Sequence, residues 1–243
     1  MKKKNKIIAF SVIGLALFSF LLISSCSKEL DNKTYPTSRI SGRFLYNGQP
    51  IQVMATSSDA GGSNPLQLIQ TGPGKYVYGV IKMFTKADGT YTIQTFDGNY
   101  SLVNSPGKGP WLQPDTIKLT LKGEAKDVNF NVTPYHWISD YKSTFVDSVF
   151  TATFKLEKVV QTSNLERVVI YLGTSHLVDI TSKQGEKVFT GITPGNVTVS
   201  FNLKTLSTAD KVTLRNTGVT FARVGIKTQG VGDLLYSPVM ELK

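Results

Sequence analysis

Downstream of residue 38 the apolar side chains recur at every second position rather than every third or fourth. Ile117, Leu119 and Leu121 alternate with Lys118, Thr120 and Lys122, and Val128, Phe130 and Val132 alternate with Asn129 and Asn131. Val197, Val199, Phe201 and Leu203 alternate in the same way with Thr198, Ser200 and Asn202. A strand turns successive side chains to opposite faces, so this period predicts strands with one buried and one wet face. Turn-forming pairs separate the runs: Asn47-Gly48, Gly72-Pro73-Gly74, Asp88-Gly89, Asp97-Gly98, Ser163-Asn164 and Pro194-Gly195. Short strands with turns at about every ten residues build sandwiches or barrels. No amphipathic helix is read in the chain. The expected fold class is all-β.

A boundary is expected in the stretch Val132 to Trp137. The alternation ends at Val132, Pro134 cannot donate to a ladder, and a new pattern opens after Trp137. The chain then divides into β-sandwich domains at 39–133 and 134–243, each of ordinary domain size.

What precedes them is not part of either core. Lys2, Lys3, Lys4 and Lys6 form a cationic start, and Ile7 to Ile23 is apolar apart from two serines and a glycine. That order is the pattern of an export signal, assigned to residues 1–25. Ile23-Ser24-Ser25-Cys26 then resembles the lipobox of bacterial lipoproteins, in which an aliphatic residue and two small ones precede the cysteine that receives lipid. The resemblance implies lipidation of Cys26 and a membrane partner held through that anchor, since two or more acyl chains suffice without a spanning helix. Residues 26–38 are polar and contain Pro36, as expected of a flexible tether. Glu29 and Asp31 in this tether loosely resemble the acidic signal that carries lipoproteins of the Bacteroidota to the outer face of the outer membrane. That is the localisation the resemblance implies.

Charge excludes little but points away from nucleic acid. Lys and Arg number 27 against 17 acids; without the four N-terminal lysines they number 23, a net charge of +6. No basic cluster stands out, so no nucleic-acid partner is expected. Cys26 is the single cysteine, so stability must come from apolar burial rather than disulfides.

The first half, with Arg39 to Val53 followed by the Asp88-Gly89-Thr90-Tyr91 and Asp97-Gly98-Asn99-Tyr100 turns, resembles a carboxypeptidase-regulatory or prealbumin-like sandwich. The second half ends in Phe221-Ala222-Arg223-Val224 and Tyr236-Ser237-Pro238-Val239, which look like the closing strands of an immunoglobulin or fibronectin III-like module. There Ala222, Val224 and Ile226 are expected to face inward, and Arg223 and Lys227 outward. Residues 107–135 together with the lipobox resemble a family of two-domain Bacteroidota lipoproteins catalogued as a domain of unknown function. Its members look like neighbours of outer-membrane glycan-uptake systems. The resemblance implies a polysaccharide and an uptake porin complex as partners.

Catalysis has little to work with. His136 and His176 are the only histidines, and no serine sits in a Gly-x-Ser-x-Gly elbow. Metal-ligand spacing is absent, so no metal and no cofactor are expected. Asp88 and Asp97 precede glycines, where a turn role accounts for them. The chain is read as a non-enzyme. Sugars offer apolar CH faces that lie on aromatic rings, with hydroxyls fixed by nearby polar groups. Trp111, in a Pro/Gly-rich loop, and Tyr135, Trp137 and Tyr141, around the boundary, are the candidate ligand-binding residues. The expected role is an accessory, glycan-binding surface lipoprotein of a polysaccharide-uptake system. The alternative is a structural stalk or fimbrillin-like adhesion subunit, which would exchange strands after cleavage near Arg39 or Arg43.

Overall fold

A computed structural model describes residues 35–54, 65–72 and 79–243. The export signal, Cys26, Glu29, Asp31, the tether up to residue 34, the loop 57–64 and the Pro73-Gly74 turn lie outside the described residues. Pro36–Lys243 is one compact unit.

The first half supplies β1 (Ser38–Tyr46), β2 (Gln49–Pro50), β3 (Leu66–Thr71), β4 (Val80–Met83), β5 (Thr90–Thr95), β6 (Gly98–Asn104), β7 (Ile117–Leu121), β8 (Glu124–Ala125) and β9 (Phe130–Asn131). They form two sheets. One is ordered β2-β1-β5, with β8 and β9 running parallel to β1 on its other side; the second is ordered β4-β3-β6-β7. The period-two code is carried through: Ile40 and Phe44 of β1, Tyr91 and Ile93 of β5, and Tyr100 and Leu102 of β6 are buried, while Arg39 and Arg43 are exposed.

The second half supplies β10 (His136–Val146), β11 (Val149–Lys158), β12 (Leu165–Gly173), β13 (Gly185–Phe189), β14 (Gly195–Asn202), β15 (Thr220–Thr228), β16 (Leu235–Tyr236) and β17 (Met240–Leu242). Here too there are two sheets, β10-β11-β14 and β13-β12-β15-β16, with β17 also on β15. Asp147 and Ser148 both adopt positive φ (51° and 66°) and close the β10–β11 hairpin in two residues. Two sandwiches of sheet on sheet result, and the fold is all-β.

Two expectations are corrected. A helix is present, α1 (Thr208–Thr217), following a 3-10 turn at Leu203–Thr205, where the alternation of β14 stops. Only Leu214 of the helix is buried, so it carries no apolar stripe to read. It is held instead by its ends: Ser207 Oγ accepts from the Asp210 amide, and Gly218 closes the C-terminus at φ 72°. The second correction is Arg223, which is fully buried rather than exposed. Its parity is as expected, with Ala222, Val224 and Ile226 in the main core. The outer face of the β12–β15 sheet, however, is covered as well. Val169 and Tyr171 on that face pack with Val178, Leu234, Tyr236 and, from the first sandwich, Met54. Burial of apolar area at about 25 cal/mol per Å² makes this second small core an adhesive between the domains.

The junction has three further ties. Trp111 pairs with Pro134, with the Leu112 amide on Thr133 O (2.9 Å) and the Tyr135 amide on Pro110 O (3.1 Å). The Gly109 amide donates to Asp233 Oδ2 at 2.5 Å. Gln52 bridges to Tyr236, whose amide donates to Gln52 O at 3.1 Å.

Candidate functional site

Where the two sandwiches meet, β2 and Gln52 of the first face the start of β10 and the Tyr236–Pro238 segment of the second across a cleft of about 290 Å³. The cleft owes its shape to an irregularity in β10. Ser139 pairs with Lys155 and Lys142 with Thr153, so Asp140 and Tyr141 together oppose Phe154. This is a β-bulge, which bends a strand and re-aims its side chains. Asp140 takes the left-handed conformation at φ 53° and stays exposed. Tyr141 is half-buried, its ring 6.3 Å from that of Phe154.

Trp137 also lines the cleft, steadied by an edge contact from Tyr46 with ring centroids 5.3 Å apart. The Tyr141 hydroxyl is sealed from solvent beside Ser143 and Ser237. Burial raises its pKa, so it is held as a protonated donor. Gln49, Gln52 and Ser139 add neutral polar groups to the walls, and Asp140 is the one carboxylate among them. Ser139 donates to Glu157 Oε1 (3.0 Å), and hydrogen bonds from Lys155 and then Ser139 hold the Glu157 carboxyl below the usual range.

Arg223 fastens the floor. Its Nε donates to Ser237 O (2.8 Å) and its Nη2 to Ala87 O of the first sandwich (3.3 Å), and the guanidinium carbon lies 4.4 Å from the centroid of the Tyr236 ring. Nη1 has no hydrogen-bond partner. Burial lowers its pKa to about 10, so it remains a cation at neutral pH.

The four aromatic candidates therefore part company. Trp137 and Tyr141 come together in the cleft. Trp111 does not join them: it is 3% exposed, stacks on Phe44 at 4.6 Å and donates from Nε1 to Asn104 Oδ1 at 3.2 Å. A platform needs a free ring face, and Trp111 has none. Its indole lies where a Cβ on Gly109 would stand, 2.2 Å away, and Gly109 has φ +88°, so glycine is required there on two counts. Tyr135 does not line the cleft; its carbonyl receives the amides of Val159 and Val160 and ties the boundary to the end of β11. His136 is 1% exposed with Nδ1 2.8 Å from Thr228 Oγ1. Asp88 caps its own turn through Thr90, as its glycine suggests, whereas Asp97 reaches across the fold to join Ser38 to the Gly123 amide. The bulge, Gln49 and Gln52 carry no readable signal in the sequence, and Tyr236 is marked there only by the strand-closing Tyr236-Ser237-Pro238 pattern.

A larger hollow of about 490 Å³ lies over β6 and β7. The aromatic ring it borders is Tyr100, whose hydroxyl is already engaged by Phe96 O (2.9 Å) and Thr95 Oγ1 (3.0 Å). Among the described residues no group of three His, Cys, Asp or Glu side chains could hold a metal ion.

Comparison with known proteins follows the same two-part division. Residues 38–133 match the family described as "Protein of unknown function (DUF3823) N-terminal domain", and residues 137–241 match "Domain of unknown function (DUF3823_C)". A DUF3823 family protein from Parabacteroides merdae is 29% identical with a TM-score of 0.72, covering 86% of this chain and 100% of its own. One from Bacteroides ovatus is 28% identical with a TM-score of 0.70, covering 84% and 98%. A protein from Bacteroides uniformis, provisionally described as carbohydrate binding, is 20% identical with a TM-score of 0.62, covering 86% and 99%. No curated protein matches the chain.

Proposed function

We propose, from the premise that this chain belongs to the DUF3823 family, that it is a non-catalytic glycan-binding lipoprotein. In this reading it is anchored through Cys26 at the outer face of the outer membrane and serves a polysaccharide-uptake system. The observation that carries the binding role is the meeting of the Trp137 and Tyr141 rings in one cleft whose walls also hold Gln49, Gln52 and Ser139. Rings for the CH face of a sugar beside polar side chains for its hydroxyls are what such a ligand needs. The description of the Bacteroides uniformis protein supports the same direction. The non-catalytic part rests on the cleft's acid inventory: Asp140 stands alone, and glycoside hydrolysis ordinarily takes two carboxylates across the bond.

The stalk or fimbrillin-like alternative is less well supported. Strand exchange would have to release β1, yet β1 is paired along both sides, antiparallel to β5 and parallel to β8 and β9. Affinity electrophoresis through a panel of polysaccharide gels tests the binding role. Retention on at least one glycan, lost in Trp137→Ala and weakened in Tyr141→Phe, is expected; uniform lack of retention sinks the reading. Mass spectrometry of the natural product checks the anchor, with diacylglyceryl on the Cys26 sulfur as the expected result.

A further inference from the structure

The cleft does not stop at its far wall. Behind Gln52 and Pro238 lies a second cavity of about 510 Å³, walled by Thr85 to Asp88 of the first sandwich and by His176, Leu177 and Val239 of the second. Gln52 and Pro238 line both spaces and stand between them. Both volumes are of the order found for small-molecule sites, roughly 300–1,000 Å³.

The two spaces are furnished alike. Each has an apolar surface suited to a sugar's CH face: Trp137 on one side, Leu177 and Val239 on the other. Each is also lined by a residue whose hydroxyl is sealed from solvent. On one side it is Tyr141, on the other Thr85, itself only 6% exposed. Adjoining spaces that share two lining side chains and offer the same kinds of surface can be spanned by one ligand. The partition is also fixed in place. The Tyr236 amide holds Gln52 O, and Arg223 spans Ser237 O and Ala87 O, each next to a wall of one cavity or the other. A rigid spacing favours a ligand that already matches it.

Charge narrows the class. In the first cavity the Asp140 carboxylate faces a floor held by the Arg223 cation, and in the second Lys86 stands against Asp88, so each side is close to neutral. Nothing there would neutralise a chain carrying an acid on every unit.

We infer that the two cavities are ends of one groove across the domain junction, which takes a neutral oligosaccharide with adjacent sugar units seated on either side of Gln52 and Pro238. This rests on the glycan-binding reading above and adds to it the length and charge of the ligand.

The test is calorimetric titration of the purified full chain with ladders of neutral glucan, mannan, xylan and galactan oligosaccharides, from the monosaccharide upward, beside a polyuronate ladder. Affinity should climb by about tenfold or more as the ligand grows long enough to span both cavities, then level off. Leu177→Asp alters an exposed side chain remote from Trp137, and should remove about tenfold from the long ligand and abolish the length dependence. His176→Ala, also exposed, should weaken the same ligand without disturbing the fold. If the long ligand loses affinity in Trp137→Ala but is indifferent to both second-cavity variants, the groove is overturned while glycan binding stands. Preference for the polyuronate ladder overturns the neutral-chain assignment alone. Absence of binding to every ladder overturns both readings.

Discussion

Trp111 and Trp137 are the only tryptophans in the chain, and both stand at the junction of the two sandwiches. One is spent on stability and the other is left over. Trp111 has its ring stacked on Phe44, its N–H taken by Asn104 and its edge pressed against a glycine that has no side chain to resist it. Phe44 in turn stacks on Phe130 at 5.0 Å, so the loop carrying Trp111 is bolted to the centre of the first core. Trp137 touches the same core through Tyr46 but keeps a surface in the cleft. The difference lies in what surrounds each residue, since a polar loop with prolines can either plug a sandwich or present a platform.

That contrast can be broken in several places. The largest effect is expected from Trp111→Ala: a loss of about 3–5 kcal/mol in urea unfolding, as for a large aromatic removed from a packed core. Glycan affinity of the molecules that remain folded should be unchanged. Should Trp111→Ala instead abolish binding in a stable protein, the assignment of the two tryptophans is reversed. Next is Arg223→Met, which keeps bulk but leaves Ser237 O and Ala87 O without their charged donor. A loss of about 2–3 kcal/mol is expected from hydrogen bonds of that kind. Trp137→Ala should cost binding about 2 kcal/mol, roughly thirtyfold, with less loss of stability than Trp111→Ala.

The smallest effect is a pH dependence in the residue just before Trp137. Burial, with a contribution from Lys158, lowers the His136 pKa below 6.5. The unfolded chain therefore binds this proton more readily than the folded one, and stability falls as pH drops through about 6.5 toward the folded pKa. Comparing urea midpoints of the natural chain and His136→Asn between about pH 7 and pH 5 isolates this contribution. The variant should show a shallower decline, and equal slopes would mean that the imidazole is not held neutral.

The strands were legible because their cause is local. Val197, Val199 and Phe201 announce a buried face by spacing alone, and all three are buried. Features set by a distant neighbour were not. Arg223 sits at an outward position of β15, and only the covering of that face by Tyr236, Leu234 and Met54 buries it. The β10 bulge leaves no mark in Ser139-Asp140-Tyr141, since an acid beside a tyrosine also fits a regular strand. Helix α1 did leave one, the Ser207-x-x-Asp210 cap with Gly218 beyond, but without an apolar stripe it was passed over. Of the four aromatic candidates, Trp137 and Tyr141 share the cleft, and Gln52 becomes visible only once the fold places it against Tyr236.

The position of β1 has a mechanical consequence. Any pull transmitted along the chain from before Ser38 enters the fold through a strand flanked by partners on both edges. A load along that strand acts on the ladders of both edges together, so β1 shares it with β5, β8 and β9 rather than bearing it alone.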